Sequence, residues 1–124
     1  MTTIVLWADK FDETADFYRL LLNGKASNAS EEFVSISGSG SRVQLHRVPV
    51  EWASEISSPP VLREENAIKP VFEVKSIAEA RAAVAGTSGG VFEAAKEQTY
   101  GETTYCDACD PDGNVIQVAT TSAA

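Results

Sequence analysis

Histidine is almost absent from this 124-residue chain: His46 stands alone, alongside only two cysteines and one methionine. Cys106 and Cys109 are too few for a disulfide scaffold, and a zinc site would want a second Cys or His pair. Basic residues are scarce as well. Ten Lys and Arg face eighteen Asp and Glu, which gives a formal net charge of −8 and an isoelectric point near 4.5. Such a surface repels a phosphate backbone and excludes nucleic acid as a partner, while it fits a cationic or amphipathic small molecule. No apolar run approaches the ~20 residues that cross a bilayer, so no membrane partner is expected. The N-terminus lacks a basic stretch followed by a long apolar one and does not read as a signal peptide, so a cytoplasmic location is expected. Gly-rich phosphate loops and a Ser-His-Asp order are also missing.

What is present falls into two halves. Residues 3–8 read as a strand rich in β-branched side chains, ended by Asp9. From residue 12 to 22 the apolar period lengthens. Ala15, Tyr18, Leu21 and Leu22 share one side, widened by Phe17 and Leu20, opposite Asp12, Glu13, Asp16 and Arg19. This spacing predicts a helix with Asp12 as its N-cap and Asn23-Gly24 as its stop. Strands are expected around 25–28, 32–37 and 42–48, with a hairpin at Gly38-Ser39-Gly40. A connector covers about 49–67, with Pro59-Pro60 at its centre and one helical turn near 51–56. The order then begins again. A strand over 68–74 is followed by a helix over 77–85 that Ser76 caps and Gly86 ends. Strands near 91–94, 102–108 and 115–119 follow, then a loose tail.

The two halves superpose in sequence register. A shift of 66 carries Leu6 onto Phe72, Phe11 onto Ile77 and Glu13 onto Glu79, and a shift of 73 carries Val43-Gln44-Leu45 onto Ile116-Gln117-Val118. The reading is an α+β fold in one domain, built from two βαβββ modules at about 1–48 and 68–120. Alternation gives each strand an apolar face: Ile4, Leu6 and Ala8; Val43 and Leu45; Phe72 and Val74; Ile116 and Val118. The opposite face is mixed and carries Thr3, Val5, Trp7, Arg42, Gln44, His46, Lys69, Val71, Glu73, Val115, Gln117 and Ala119. It is either a solvated sheet face or the lining of a cavity.

Phe17-Tyr18 followed by Leu21-Leu22-Asn23-Gly24, together with Asp110-Pro111-Asp112-Gly113-Asn114 near the end, resembles the vicinal oxygen chelate superfamily. Asp9, Asp12 and Tyr100-Gly101 add to the likeness, which covers nearly the whole chain. That group includes glyoxalase I, bleomycin-resistance proteins, fosfomycin-modifying enzymes and extradiol dioxygenases. The resemblance implies cupped mixed sheets and, in the enzymes, one divalent metal held by His, Glu or Gln from the first and last strands of each module. Those positions here hold Thr3, Gln44, Lys69 and Gln117. An ammonium facing a dication, a neutral hydroxyl and two amides make a poor ligand set.

The expectation is therefore a small-molecule-binding protein without the metal or another cofactor, serving drug or metabolite sequestration rather than catalysis. Its ligand would be lined by Thr3, Trp7, Gln44, His46, Lys69, Glu73 and Gln117. The resemblance further implies a homodimer. The alternative is a divalent-metal-dependent lyase, isomerase or dioxygenase with non-standard ligands, in which a two-residue slip of register brings in His46 or Glu73. A third reading is an interaction module whose sheet face mediates dimerisation.

Other residues have simpler readings. Cys106 and Cys109 show CxxC spacing, but in a strand, where residues three apart point to opposite faces. Asp107, Asp110 and Asp112 crowd together like a calcium loop but lack its distal Glu, so a turn is expected. Lys69 and Glu73 share a face and are expected to pair, Glu73 or Glu51 could orient His46, and Trp52 and Tyr100 could clamp a flat ligand.

Overall fold

The computed structural model describes residues 1–49, 51, 62 and 67–121. The first half forms β1 (Thr2–Ala8), α1 (Phe11–Leu21), β2 (Lys25–Ser27), β3 (Phe33–Gly38) and β4 (Ser41–Arg47). Its sheet runs β1-β4-β3-β2, with β1 and β4 parallel and the other pairs antiparallel. The second half forms β5 (Val71–Glu73), α2 (Ile77–Ala83), β6 (Gly90–Val91), β7 (Gln98–Tyr100), β8 (Thr103–Cys109) and β9 (Val115–Thr121). Its order is β5-β9-β8-β6, with β7 also on β8 and with β5 and β9 parallel. The duplication holds residue by residue. Leu6 pairs with Leu45 in the first sheet, and Phe72 pairs with Val118 in the second, the same pair moved by 66 and 73 positions.

Three local features differ from the sequence reading. β5 starts at Val71 rather than 68, because Pro70 has no N–H for the ladder; its carbonyl still accepts from the Gln117 amide at 2.9 Å. The strand expected at 91–94 stops at Val91, and Ala94–Lys96 make one turn of 3₁₀ helix that leads into the unforeseen β7. The helical turn near 51–56, the Pro-Pro pair and Trp52 lie outside the described residues, apart from Glu51.

The apolar faces of both sheets and one side of each helix merge into one core. Tyr18 and Phe17 are completely buried and meet edge to face at 5.1 Å, and Tyr18 also lies 5.7 Å from Phe72 of the second module. No helix among the described residues is long and apolar enough to cross a membrane. The mixed faces stay outside this core, and Val5, Trp7 and Val71 remain about half exposed there.

The seam between the modules is fastened by the Asp110–Asn114 turn. Buried Asp110 accepts from the Tyr18 hydroxyl at 2.7 Å, from the amides of Asp112 and Asn114 at 3.0 and 2.9 Å, and from the Asn114 side chain at 3.0 Å. Asp112 reaches the other way, and its Oδ1 accepts from the amides of Asp9 and Lys10 at 3.2 and 3.1 Å. This corrects the expected cap. Lys10, not Asp12, is the N-cap residue of α1, and no side chain of its own caps the helix. A carboxylate from the far end of the chain sits there instead and complements the positive end of the helix dipole. At the other end Asn23, with φ of 47°, adopts the left-handed conformation that stops the helix. Ser76 caps α2 as expected, accepting from the Glu79 amide at 3.1 Å.

Candidate functional site

On the mixed face of the first module, cross-strand pairing sets Trp7 beside His46 and His46 beside Phe33. The Trp7 and His46 rings stack at 4.4 Å and 16°, and Phe33 meets His46 at 4.9 Å and 61°. This aromatic row forms one side of a cavity of about 680 Å³ rimmed by Glu32, Arg47 and Glu51. Gln44 lies on the same face, between Val5 and Ser35, and Thr3 lies opposite Arg42. Phe33 had no place in the sequence reading. Only its register opposite His46 reveals it.

On the second module, β9 pairs with β8 so that Gln117 lies directly opposite Asp107. Asp107 gathers its neighbours: Lys69 Nζ donates to Oδ2 at 2.9 Å and Gln117 Nε2 donates to Oδ1 at 3.2 Å. This replaces the expected Lys69–Glu73 pair. Residues four apart on an extended chain sit about 13 Å from each other, whereas Lys69 reaches Asp107 on β8, across β9. Lys69, Asp107 and Gln117 line a cavity of about 440 Å³ with Phe92, Lys96, Gln98 and Tyr105. Glu73 lies elsewhere, beside a third hollow with Lys75 and Thr120. The structure thus brings Trp7 to His46 and Lys69 to Gln117. The two groups line separate cavities that share no residue. The reason is the seam: the modules meet through α1, α2, Tyr18 and Asp110, so their mixed faces lie on the outer side of the core.

A divalent metal does not fit the positions at which the resemblance places its ligands. Lys69 is an ammonium held by a carboxylate, and the Gln117 amide is turned to donate to that same carboxylate. Thr3 and Gln44 belong to the other module. Among the described residues, no three His, Cys, Asp or Glu side chains come together in a way that could hold a metal ion. The cysteines are not a redox pair. Cys106 is buried on the core face and Cys109 lies on the mixed face of the same strand. Burial pushes both thiols above their ordinary range, and for Cys106 the nearby Arg81 guanidinium opposes that shift without cancelling it.

No protein-family profile and no curated protein matches the chain. Solved structures do. A glyoxalase/bleomycin resistance protein from Albidiferax ferrireducens T118 superposes with a TM-score of 0.68 at 15% identity, covering 98% of each chain. The genomically encoded fosfomycin resistance protein FosX from Listeria monocytogenes gives 0.67 at 13% identity, covering 98% of this chain and 93% of that one. An integron cassette protein from the mobile metagenome of V. cholerae gives 0.64 at 21% identity, over 98% and 94%. The fold is the glyoxalase/bleomycin-resistance arrangement of two βαβββ modules.

Proposed function

We propose that this protein binds a small organic molecule on its mixed sheet faces without a metal, as a sequestering protein rather than a metal-dependent enzyme. The observation that supports this is the Lys69–Asp107–Gln117 network. It ties up Lys69 and Gln117, the second-module positions at which the resemblance implies metal ligands, in bonds to Asp107. The walls suit binding: an aromatic row on one module, and a polar cavity with aromatic sides on the other. A second copy of the chain is the proposed partner, covering half-exposed Val5, Trp7 and Val71 and joining one copy's aromatic row to the other's polar cavity.

Two measurements test this. Sedimentation should show a dimer that Trp7→Glu converts to monomer, since a charge buried in an apolar contact costs several kcal/mol; an unchanged dimer sinks this interface. In a melting screen of small aromatic acids and amines, a ligand at 100 times its Kd should add about 2.7 kcal/mol of stability. The double variant Gln44→Ala/Gln117→Ala should lose that gain while the free protein melts almost unchanged. A full response from the double variant would show that the ligand binds elsewhere.

A further inference from the structure

The sign of the ligand's charge can be read from the hydrogen-bonding groups of the second-module cavity. The argument rests on the reading that the mixed faces bind small molecules. Among the described residues, Asp107 is the only carboxylate in the lining, and each of its oxygens already holds a donor, from Lys69 and from Gln117. The Gln98 carbonyl oxygen accepts from the Tyr100 hydroxyl at 2.9 Å, which leaves the N–H bonds of this lining residue unused. Glu97, next to Lys96 in sequence, is held by Arg81 at 2.7 Å. Lys96 has no ion-pair partner among the described residues. The remaining groups are mainly donors: the Lys96 ammonium, the unused N–H bonds of Lys69, the Gln98 N–H bonds, the second Gln117 N–H and the Tyr105 hydroxyl, against the Gln117 carbonyl oxygen as an acceptor.

The rim that carries Lys96 is braced. Arg81 Nε donates to the Phe92 carbonyl at 2.9 Å, the Phe92 amide donates to the Asp107 carbonyl at 2.9 Å, and the Lys96 amide closes the 3₁₀ turn on Glu93 at 2.8 Å. Two lysines against one aspartate make the lining locally positive, although the chain as a whole carries −8. Within a few ångströms, the local charges outweigh distant, solvent-screened acids. Phe92, Tyr105 and Val115 add apolar walls, and 440 Å³ is within the roughly 300–1,000 Å³ of small-molecule sites.

We infer that this cavity takes an organic anion, an aromatic or branched carboxylate, with its acid group at Lys96 and Lys69 and its apolar part against Phe92 and Tyr105. The whole-chain charge, which suits a cation, is overridden here by the local donor surplus. The test is an NMR titration of the ¹⁵N-labelled full chain at low salt with three probes of one shape: benzoate, benzamide and benzylamine. Benzoate should shift the amides of Lys96, Gln98, Tyr105, Asp107 and Gln117. It should bind about tenfold tighter than benzamide, as a charge-assisted hydrogen bond allows, and weaken as salt is added. Lys96→Gln, at an exposed and unpaired position, should keep the wild-type melting point and lose that tenfold preference. Benzamide or benzylamine binding as tightly as benzoate overturns the anion assignment alone, as does undiminished benzoate binding by Lys96→Gln. Failure of all three probes to bind overturns the binding reading as well.

Discussion

Replacing Asp110 with alanine should lower the unfolding free energy by about 3–5 kcal/mol, because several neutral donors lose one charged acceptor at about 1–3 kcal/mol for each group left buried and unpaired. The substitution strips acceptors from the Tyr18 hydroxyl, from two turn amides and from the Asn114 side chain, and the Tyr18 hydroxyl is left buried and unpaired. Because Tyr18 belongs to the first module and Asp110 to the second, the loss should appear as one cooperative transition at lower denaturant. Tyr18→Phe removes a single bond of the set and should cost about 1–2 kcal/mol at neutral pH. The same variant gives a signature in pH. Burial, followed by the Asp110 charge, raises the Tyr18 phenol well above its ordinary 10.0. The folded state therefore keeps the phenol neutral where the unfolded chain ionises it. This contribution is fully present below pH 10 and is lost as pH rises above it. Denaturation series at pH 7 and pH 11 should show a smaller alkaline loss in Tyr18→Phe than in the parent chain; equal losses would contradict the assignment.

Gly38→Ala should cost about 3 kcal/mol, the upper range for overpacking. A Cβ there would stand 2.5 Å from the Leu22 carbonyl oxygen and 2.7 Å from the Gly24 Cα, both backbone atoms that cannot rotate aside. The β3–β4 hairpin is pressed at this point against the exit of α1. Gly40 has a different requirement. It has open space around it but a φ of +77°, so Gly40→Ala should cost only about 1 kcal/mol, the ordinary strain of that conformation. Urea denaturation of the two variants separates them, and equal costs would show that crowding at Gly38 is not the cause.

The parts of this fold that follow from a local period were legible in the sequence. Alternation sorted Leu6, Leu45, Phe72 and Val118 onto the core face because a strand repeats every two residues, and Ser76 marked the start of α2 because its cap bond is made within three residues. The parts that depend on distant chain were not legible. The carboxylate at the head of α1 comes from Asp112, a hundred residues on, so Asp12 was the nearest local substitute. Lys69 was assigned Glu73 because both share a face, yet its partner is Asp107, which becomes adjacent only when β8 and β9 pair in their actual register. In the candidate site, parity placed Trp7, His46, Lys69 and Gln117 on mixed faces, but it could not divide them between two cavities. That division comes from the way the modules dock.

The central claim is that the two second-module positions at which the resemblance implies metal ligands hold an ammonium and an amide, Lys69 and Gln117, both bonded to Asp107. Calorimetric titration of the chelator-treated protein with zinc(II) tests it most directly. No heat of stoichiometric binding is expected below millimolar zinc. One equivalent bound at submicromolar affinity by the unaltered chain would contradict the account.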